Sequence, residues 1–234
     1  LAGQVAVNRN FIAGRAPAFE QHGTGVAGII AARADNRLGI AGVAPGARLL
    51  GLRACWQTAA APAVRTVCDS FSLVKALYFA AEQKADVINM SLSGPDDRLL
   101  TELLKAAMAR GATIVTAFDP RRPRGGFPAS MPGVVAVSDA VVAPSRGRVY
   151  TAPGRGVPTT QPGDRWFLVN GSSYAAAHVS GLLALLRQER PAAALTLVSA
   201  RGGGGPIDAC ATLVRAAHGC DCACARGGNT RMGR

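Results

Sequence analysis

Four short apolar runs, at residues 86–91, 112–117, 133–138 and 149–152, constrain this chain more than any other feature. Each is rich in small or β-branched residues, bounded by Gly, Pro or charged residues, and too short for a helix. A fifth run, 48–53, reads as a buried strand. Between them lie segments of helical character. Residues 23–34 are small and apolar and stop at Asp35-Asn36 and Gly39. A helix follows Ser70, read as its N-cap, and runs to about Lys84 with Phe71, Val74, Leu77 and Tyr78 on one face. Asp96 or Asp97 caps another, which ends at Arg110-Gly111. A last long helix runs from Ser173 to about Arg190 and breaks at Pro191. Strands alternating with helices predict an α/β fold, with a mostly parallel sheet covered by helices on both faces. The 234 residues suit one such domain, and 49% apolar against 17% charged residues reads as globular.

The formal net charge is +12, from 26 basic and 14 acidic residues. The cations are nearly all single, scattered arginines without a basic helix or interleaved aromatics, so nucleic-acid binding is not expected. The apolar stretches, such as 179–186, are too short to span a bilayer. Six cysteines stand at 55, 68, 210, 220, 222 and 224. Cys55 and Cys68 flank an Ala/Pro loop between an expected strand and an expected helix, which suits a local disulfide. The 220–224 run fits adjacent disulfides or a loose tail better than a metal clip, since no histidine-rich or CxxC partner accompanies it. Disulfides would imply an oxidising compartment, secreted or periplasmic. The chain begins with Leu1 and shows no charged-then-apolar leader, so it reads as an internal or processed piece of something longer.

The chemistry lies in two boxes. In Asn170-Gly171-Ser172-Ser173-Tyr174-Ala175-Ala176-Ala177-His178-Val179-Ser180-Gly181, a Gly and two hydroxyl residues precede an apolar helical run. Ser173 therefore falls in the first turn, where free N–H groups and the helix dipole favour a developing negative charge. A serine nucleophile needs that environment. Far upstream, His22-Gly23-Thr24-Gly25-Val26-Ala27-Gly28 places a candidate general base at the start of another small-residue helix.

Together with 87–94 (Val-Ile-Asn-Met-Ser-Leu-Ser-Gly), 39–45 (Gly-Ile-Ala-Gly-Val-Ala-Pro) and Ala152-Pro153-Gly154, these boxes resemble subtilisin-like serine proteases, the subtilase or peptidase S8 family, in their order along the chain. The resemblance reaches residue 217. It implies a three-layer subtilisin-like domain over 1–217 lacking its N-terminal strand, with 218–234 as a disordered Cys/Gly/Arg-rich tail. It also implies a serine endopeptidase that acts as a monomer on peptide or protein substrates. His22 would take the proton from Ser173, which attacks the scissile carbonyl, and the Ser173 N–H would serve as one oxyanion donor. Ser91, Leu92, Ser93 and Gly94 would pair with the substrate backbone, and Ala117 and Phe118 would wall the pocket for the residue before the cut. His178 matches the family's second, structural histidine. Calcium is common in the family, and Asp35-Asn36 offers two oxygens at a suitable loop, although a plain Asx turn uses the same residues. No other cofactor or metal is implied.

The sequence departs from the pattern in two consequential places. Where the family carries an Asn as second oxyanion donor, this chain reads Thr116-Ala117-Phe118-Asp119-Pro120. Pro120 has no donor, and Asp119 would donate only if protonated. Loss of that donor costs about 10²–10³ in rate, a magnitude measured in a subtilisin itself. The family's aspartate, which lies before the histidine, is absent from residues 1–21 and is expected upstream. The alternative is a catalytically impaired relative that binds peptides or serves as a scaffold.

Overall fold

The computed structural model describes residues 1–60, 63–143, 148–191 and 195–217. In chain order they form β1 (Val5–Asn10), α1 (Gln21–Ala31), β2 (Leu49–Arg53), β3 (Cys55–Ala60), β4 (Ala63–Cys68), α2 (Ser70–Glu82), β5 (Val87–Met90), α3 (Arg98–Ala109), β6 (Thr113–Ala117), β7 (Val135–Ser138), β8 (Val149–Thr151), β9 (Val157–Gln161), β10 (Arg165–Val169), α4 (Ser172–Glu189), β11 (Gly205–Pro206) and α5 (Ala209–Ala217). The expected tail at 218–234, with Cys220, Cys222 and Cys224, lies outside the described residues.

A five-stranded sheet in the order β11-β8-β7-β6-β5 has every pair parallel. Such a sheet is stable only if both faces are covered, and the alternation within β6 shows how. Ile114 packs on one face with Leu77 of α2 and Leu100 and Leu104 of α3. Val115 packs on the other with Val137 and with Ala175, Val179 and Leu183 of α4. The three-layer α/β architecture expected from the strand–helix alternation is therefore present. Carboxylates start the two helices of the first face: Asp69 Oδ1 accepts from Ser72 N (2.8 Å) and Asp97 Oδ1 from Leu100 N (3.0 Å). The cap of α2 is thus Asp69, one residue before the expected Ser70, because its carboxylate reaches the free amide three residues on.

β1 and β2 form a separate parallel pair. Leu52 of β2 packs against the Leu77/Met90 cluster, so this pair shares a core with the five-stranded sheet without being hydrogen-bonded to it. Between them lies a cavity of about 1970 Å³ whose walls include Leu50 and Leu52 of β2, Ile88 and Met90 of β5, Leu77 of α2 and Leu185 of α4. Residues 55–60 and 63–68, in a stretch expected as a loop, pair as the antiparallel hairpin strands β3 and β4, closed at their base by the Cys55–Cys68 disulfide with Cα atoms 4.2 Å apart. A second hairpin, β9–β10, turns at Pro162-Gly163-Asp164. Among the described residues no helix is long and apolar enough to cross a membrane.

Candidate active site

α1 brings His22 to the site in its first turn. The glycines of its box let β9 lie against the helix backbone: Thr159 Oγ1 donates to Gly25 O (2.6 Å) and Thr160 Oγ1 to Thr24 O (3.0 Å). A side chain on Gly28 would collide with both hydroxyls. His22 is half-buried, and that burial pushes its pKa below the ordinary histidine value. None of the ion pairs among the described residues involves it. The imidazole is accordingly neutral near pH 7, the form a general base requires.

α4 brings Ser173. Gly171 caps this helix at φ 132°, a left-handed conformation that other residues rarely adopt. Ser172 Oγ donates to Asp139 Oδ1 (3.0 Å), and the other carboxylate oxygen of Asp139 accepts from Arg155 Nε (2.9 Å). Ser173 and Ser91 hold each other: Ser91 Oγ donates to Ser173 O (2.8 Å) and Ser173 Oγ to Ser91 O (3.2 Å). The network continues through Asn89, whose Nδ2 donates to Ser91 Oγ (2.9 Å) and whose Oδ1 accepts from Ser180 Oγ (2.9 Å). It pins the end of β5 to the start of α4. Tyr174 bridges toward the histidine, with its ring centroid 5.7 Å from that of His22. A small cavity of about 370 Å³ opens there, lined by His22, Tyr174, Gln57, Thr66, Gln161 and Phe167.

The structure joins Ser173 to Ser91 directly, and the ring of Tyr174, the next residue, faces His22; Ser173 Oγ is bonded to the Ser91 carbonyl and not to the imidazole. Beyond Ser91 the chain folds over the loop at 119–128: Ser93 Oγ donates to Gly125 O (3.1 Å), and Gly94 and Phe127 exchange two backbone hydrogen bonds (2.8 and 3.0 Å). Leu92 packs into the α2/α3 core. Ala117 ends β6, and Phe118 is buried to 1% exposure beneath Gly125. The Asp119 carboxylate accepts from the amide and Nε of Arg121 (both 3.0 Å) and lies near Arg122. The Arg121 hydrogen bond holds its pKa below the usual carboxylate range, so the group is ionised and accepts hydrogen bonds. His178 Nδ1 meets Tyr174 O at 2.9 Å, a contact that ties the helix to itself. Asn36 Oδ1 accepts from Leu38 N (3.0 Å), forming the Asx turn. Among the described residues no cluster of three or more His, Cys, Asp or Glu side chains could hold a metal ion.

Asn89, Ser180 and Asp139 are site residues that sequence reasoning misses. Asn89 does carry a signal, a lone amide inside an otherwise apolar strand. Asp139 and Ser172 are 33 positions apart in sequence, and nothing local links them.

A family model for the subtilase family, peptidase S8, matches residues 7–217. The chain is 35% identical over 184 residues to the major intracellular serine protease of Bacillus subtilis (strain 168), an alignment covering 72% of this chain and 56% of that protein. It is 31% identical over 185 residues to subtilisin E of the same organism, covering 73% and 46%. Among solved structures it is similar to MycP1 with the N-terminal propeptide removed, with a TM-score of 0.66 at 25% identity over 90% of this chain and 86% of that one. It is also similar to a protease from Pseudoalteromonas arctica, with a TM-score of 0.68 at 27% identity over 83% and 70%. The chain spans about half the length of the curated relatives it matches.

Proposed function

Because the chain belongs to the subtilase family, we propose that it is the greater part of a serine endopeptidase domain that cleaves peptide bonds through Ser173 and His22. The observation that carries this reading is the placement of Ser173. It stands in the first turn of α4, tied to the end of β5 through Ser91, and the ring of the next residue, Tyr174, faces a neutral, half-buried imidazole. On substrate binding the Ser173 hydroxyl leaves the Ser91 carbonyl and gives its proton to His22 as Oγ attacks the scissile carbonyl. His22 then returns that proton to the leaving amine. The oxyanion forms at the α4 N-terminus, where the Ser173 N–H donates. Residues 91–93 align the substrate by strand pairing, since both backbone groups of Gly94 are taken by Phe127, and the buried side chains of Ala117 and Phe118 support the site from beneath instead of walling its pocket.

The aspartate that orients His22 is expected upstream of these residues. Two observations support it: His22 has no carboxylate partner among the described residues, and the cavity between β2 and β5 offers two strand edges between apolar walls. A strand there would end the separation of the two sheets. The Cys55–Cys68 disulfide favours a secreted or periplasmic setting. A second reading, an impaired protease retained for peptide binding, is favoured by one observation: Asp119, ion-paired with Arg121, and Pro120 stand where an amide donor is expected.

Fluorophosphonate labelling of the protein expressed from its full reading frame decides between them. An adduct on Ser173 that disappears in Ser173→Ala and His22→Ala supports the enzyme. No adduct in the presence of the upstream aspartate overturns it, and retained peptide binding would then establish the scaffold.

A further inference from the structure

A mostly buried ion pair sits immediately before α1. Glu20 occupies the N-cap position of that helix, yet its side chain caps no amide there. The carboxylate turns toward β2. Oε1 accepts from Arg53 Nη2 (2.6 Å) and Nε (3.1 Å), and Oε2 accepts from the Gln57 amide (3.3 Å). The two side chains are only 19% and 13% exposed, the one pair among the described residues in which both partners are so enclosed. Arg53 Nη1 donates in turn to Asn10 Oδ1 (3.0 Å) and to the Ala16 carbonyl (3.2 Å). One pair therefore joins the end of β1, the loop before α1, the end of β2, the β3–β4 hairpin and the entry to α1. His22 lies two residues beyond Glu20, and Gln57 lines the same small cavity as His22.

We propose that Glu20 is a positioning residue for His22, acting through Arg53 and the Gln57 amide to fix where α1 begins and hence where the imidazole stands. The inference deepens the serine-protease reading and rests on it for its kinetic readout. A two-nitrogen grip on one carboxylate fixes direction as well as distance. A glutamine at this position keeps one acceptor but loses the charge, leaving Arg53 enclosed without compensation. Displacement of a catalytic group by about 1 Å costs on the order of 100-fold in rate. The substrate pairing proposed for 91–93 does not involve α1, so KM is expected to change little.

The test uses Glu20→Gln and the double variant Glu20→Gln/Arg53→Met in the protein expressed from its full reading frame. Turnover of a fluorogenic peptide, NMR titration of the His22 ring and thermal unfolding are measured for each. Glu20→Gln is expected to lose about 10- to 100-fold in kcat with KM changed less than about twofold. Its His22 midpoint should move away from that of the unsubstituted protein as the ring leaves its enclosed position. The double variant removes the stranded cation and so recovers thermal stability, but not kcat. A fall in thermal stability with kcat and the His22 midpoint both unchanged overturns the proposal. If the unsubstituted protein neither turns over peptide nor takes a fluorophosphonate, the protease reading fails, and the His22 midpoint alone still decides the role of Glu20.

Discussion

At the scale of single residues, the burial of His22 has a consequence for pH. Its pKa is held below the ordinary histidine value, so the base form persists to lower pH than for a solvent-exposed imidazole. In the 234-residue chain, NMR titration of the His22 ring is expected to give a midpoint below the usual histidine range, and a midpoint at or above that range would contradict it. The same depression makes a stability term. It is fully present above the unfolded-state pKa and is lost as pH falls from there through the folded value, because the unfolded chain binds the proton more readily. Asp119 shows the opposite kind of lesson. The resemblance suggests it beside the oxyanion as a donor, but an aspartate is ionised near neutral pH in any case, and the Arg121 hydrogen bond lowers its pKa further. His22, Ser173 and Ser91 are legible in the sequence because small-residue boxes mark helix starts and strand ends. Glu20 and Arg53 are not, since a charged residue 33 positions from its partner reads as surface until the fold encloses both.

Among the elements, those with strong local signals are legible and those defined by pairing are not. β5 to β8 show as apolar runs because both faces of the sheet are covered, and α2 and α3 show as periodic segments, with the acidic cap of α3 legible and that of α2 missed by one residue. β1, with its Asn and Arg residues, is largely exposed along its length and offers no apolar run. The β3–β4 hairpin hides behind the Ala/Pro stretch at 59–63, which interrupts its strand formers, although its two cysteines form the local bridge that their spacing suggests. β9–β10 has a usable signal in the Pro162-Gly163 turn between β-branched and aromatic stretches. The bridge closes a loop with a sequence separation of 13, for which chain entropy gives a contribution of about 3 kcal/mol. Replacing both Cys55 and Cys68 with Ser is expected to lower unfolding free energy by roughly that amount in urea titration. The hairpin should loosen first, since the bridge closes its base.

For the whole molecule, the three-layer architecture is predictable from element order, whereas the division of its described strands into four hydrogen-bonded sheets is not. Periodicity reports which faces are apolar and says nothing of which edges find partners. β2 pairs only with β1 and β5 only with β6 among the described residues, and both line the large cavity. Amide hydrogen exchange on this 234-residue chain is expected to be faster in β2 and β5 than in β6 and β7, whose centres are fully enclosed. Equal protection across all four strands would contradict that ordering. The same cavity bears on how the chain behaves among copies of itself. A strand edge with unused N–H and C=O groups is a template for any extended segment of similar apolar character, whichever molecule carries it. Two such edges flanking one apolar gap make colloidal behaviour a property of topology here, and the strong positive charge of the chain then acts as the counterweight that keeps neighbouring molecules apart.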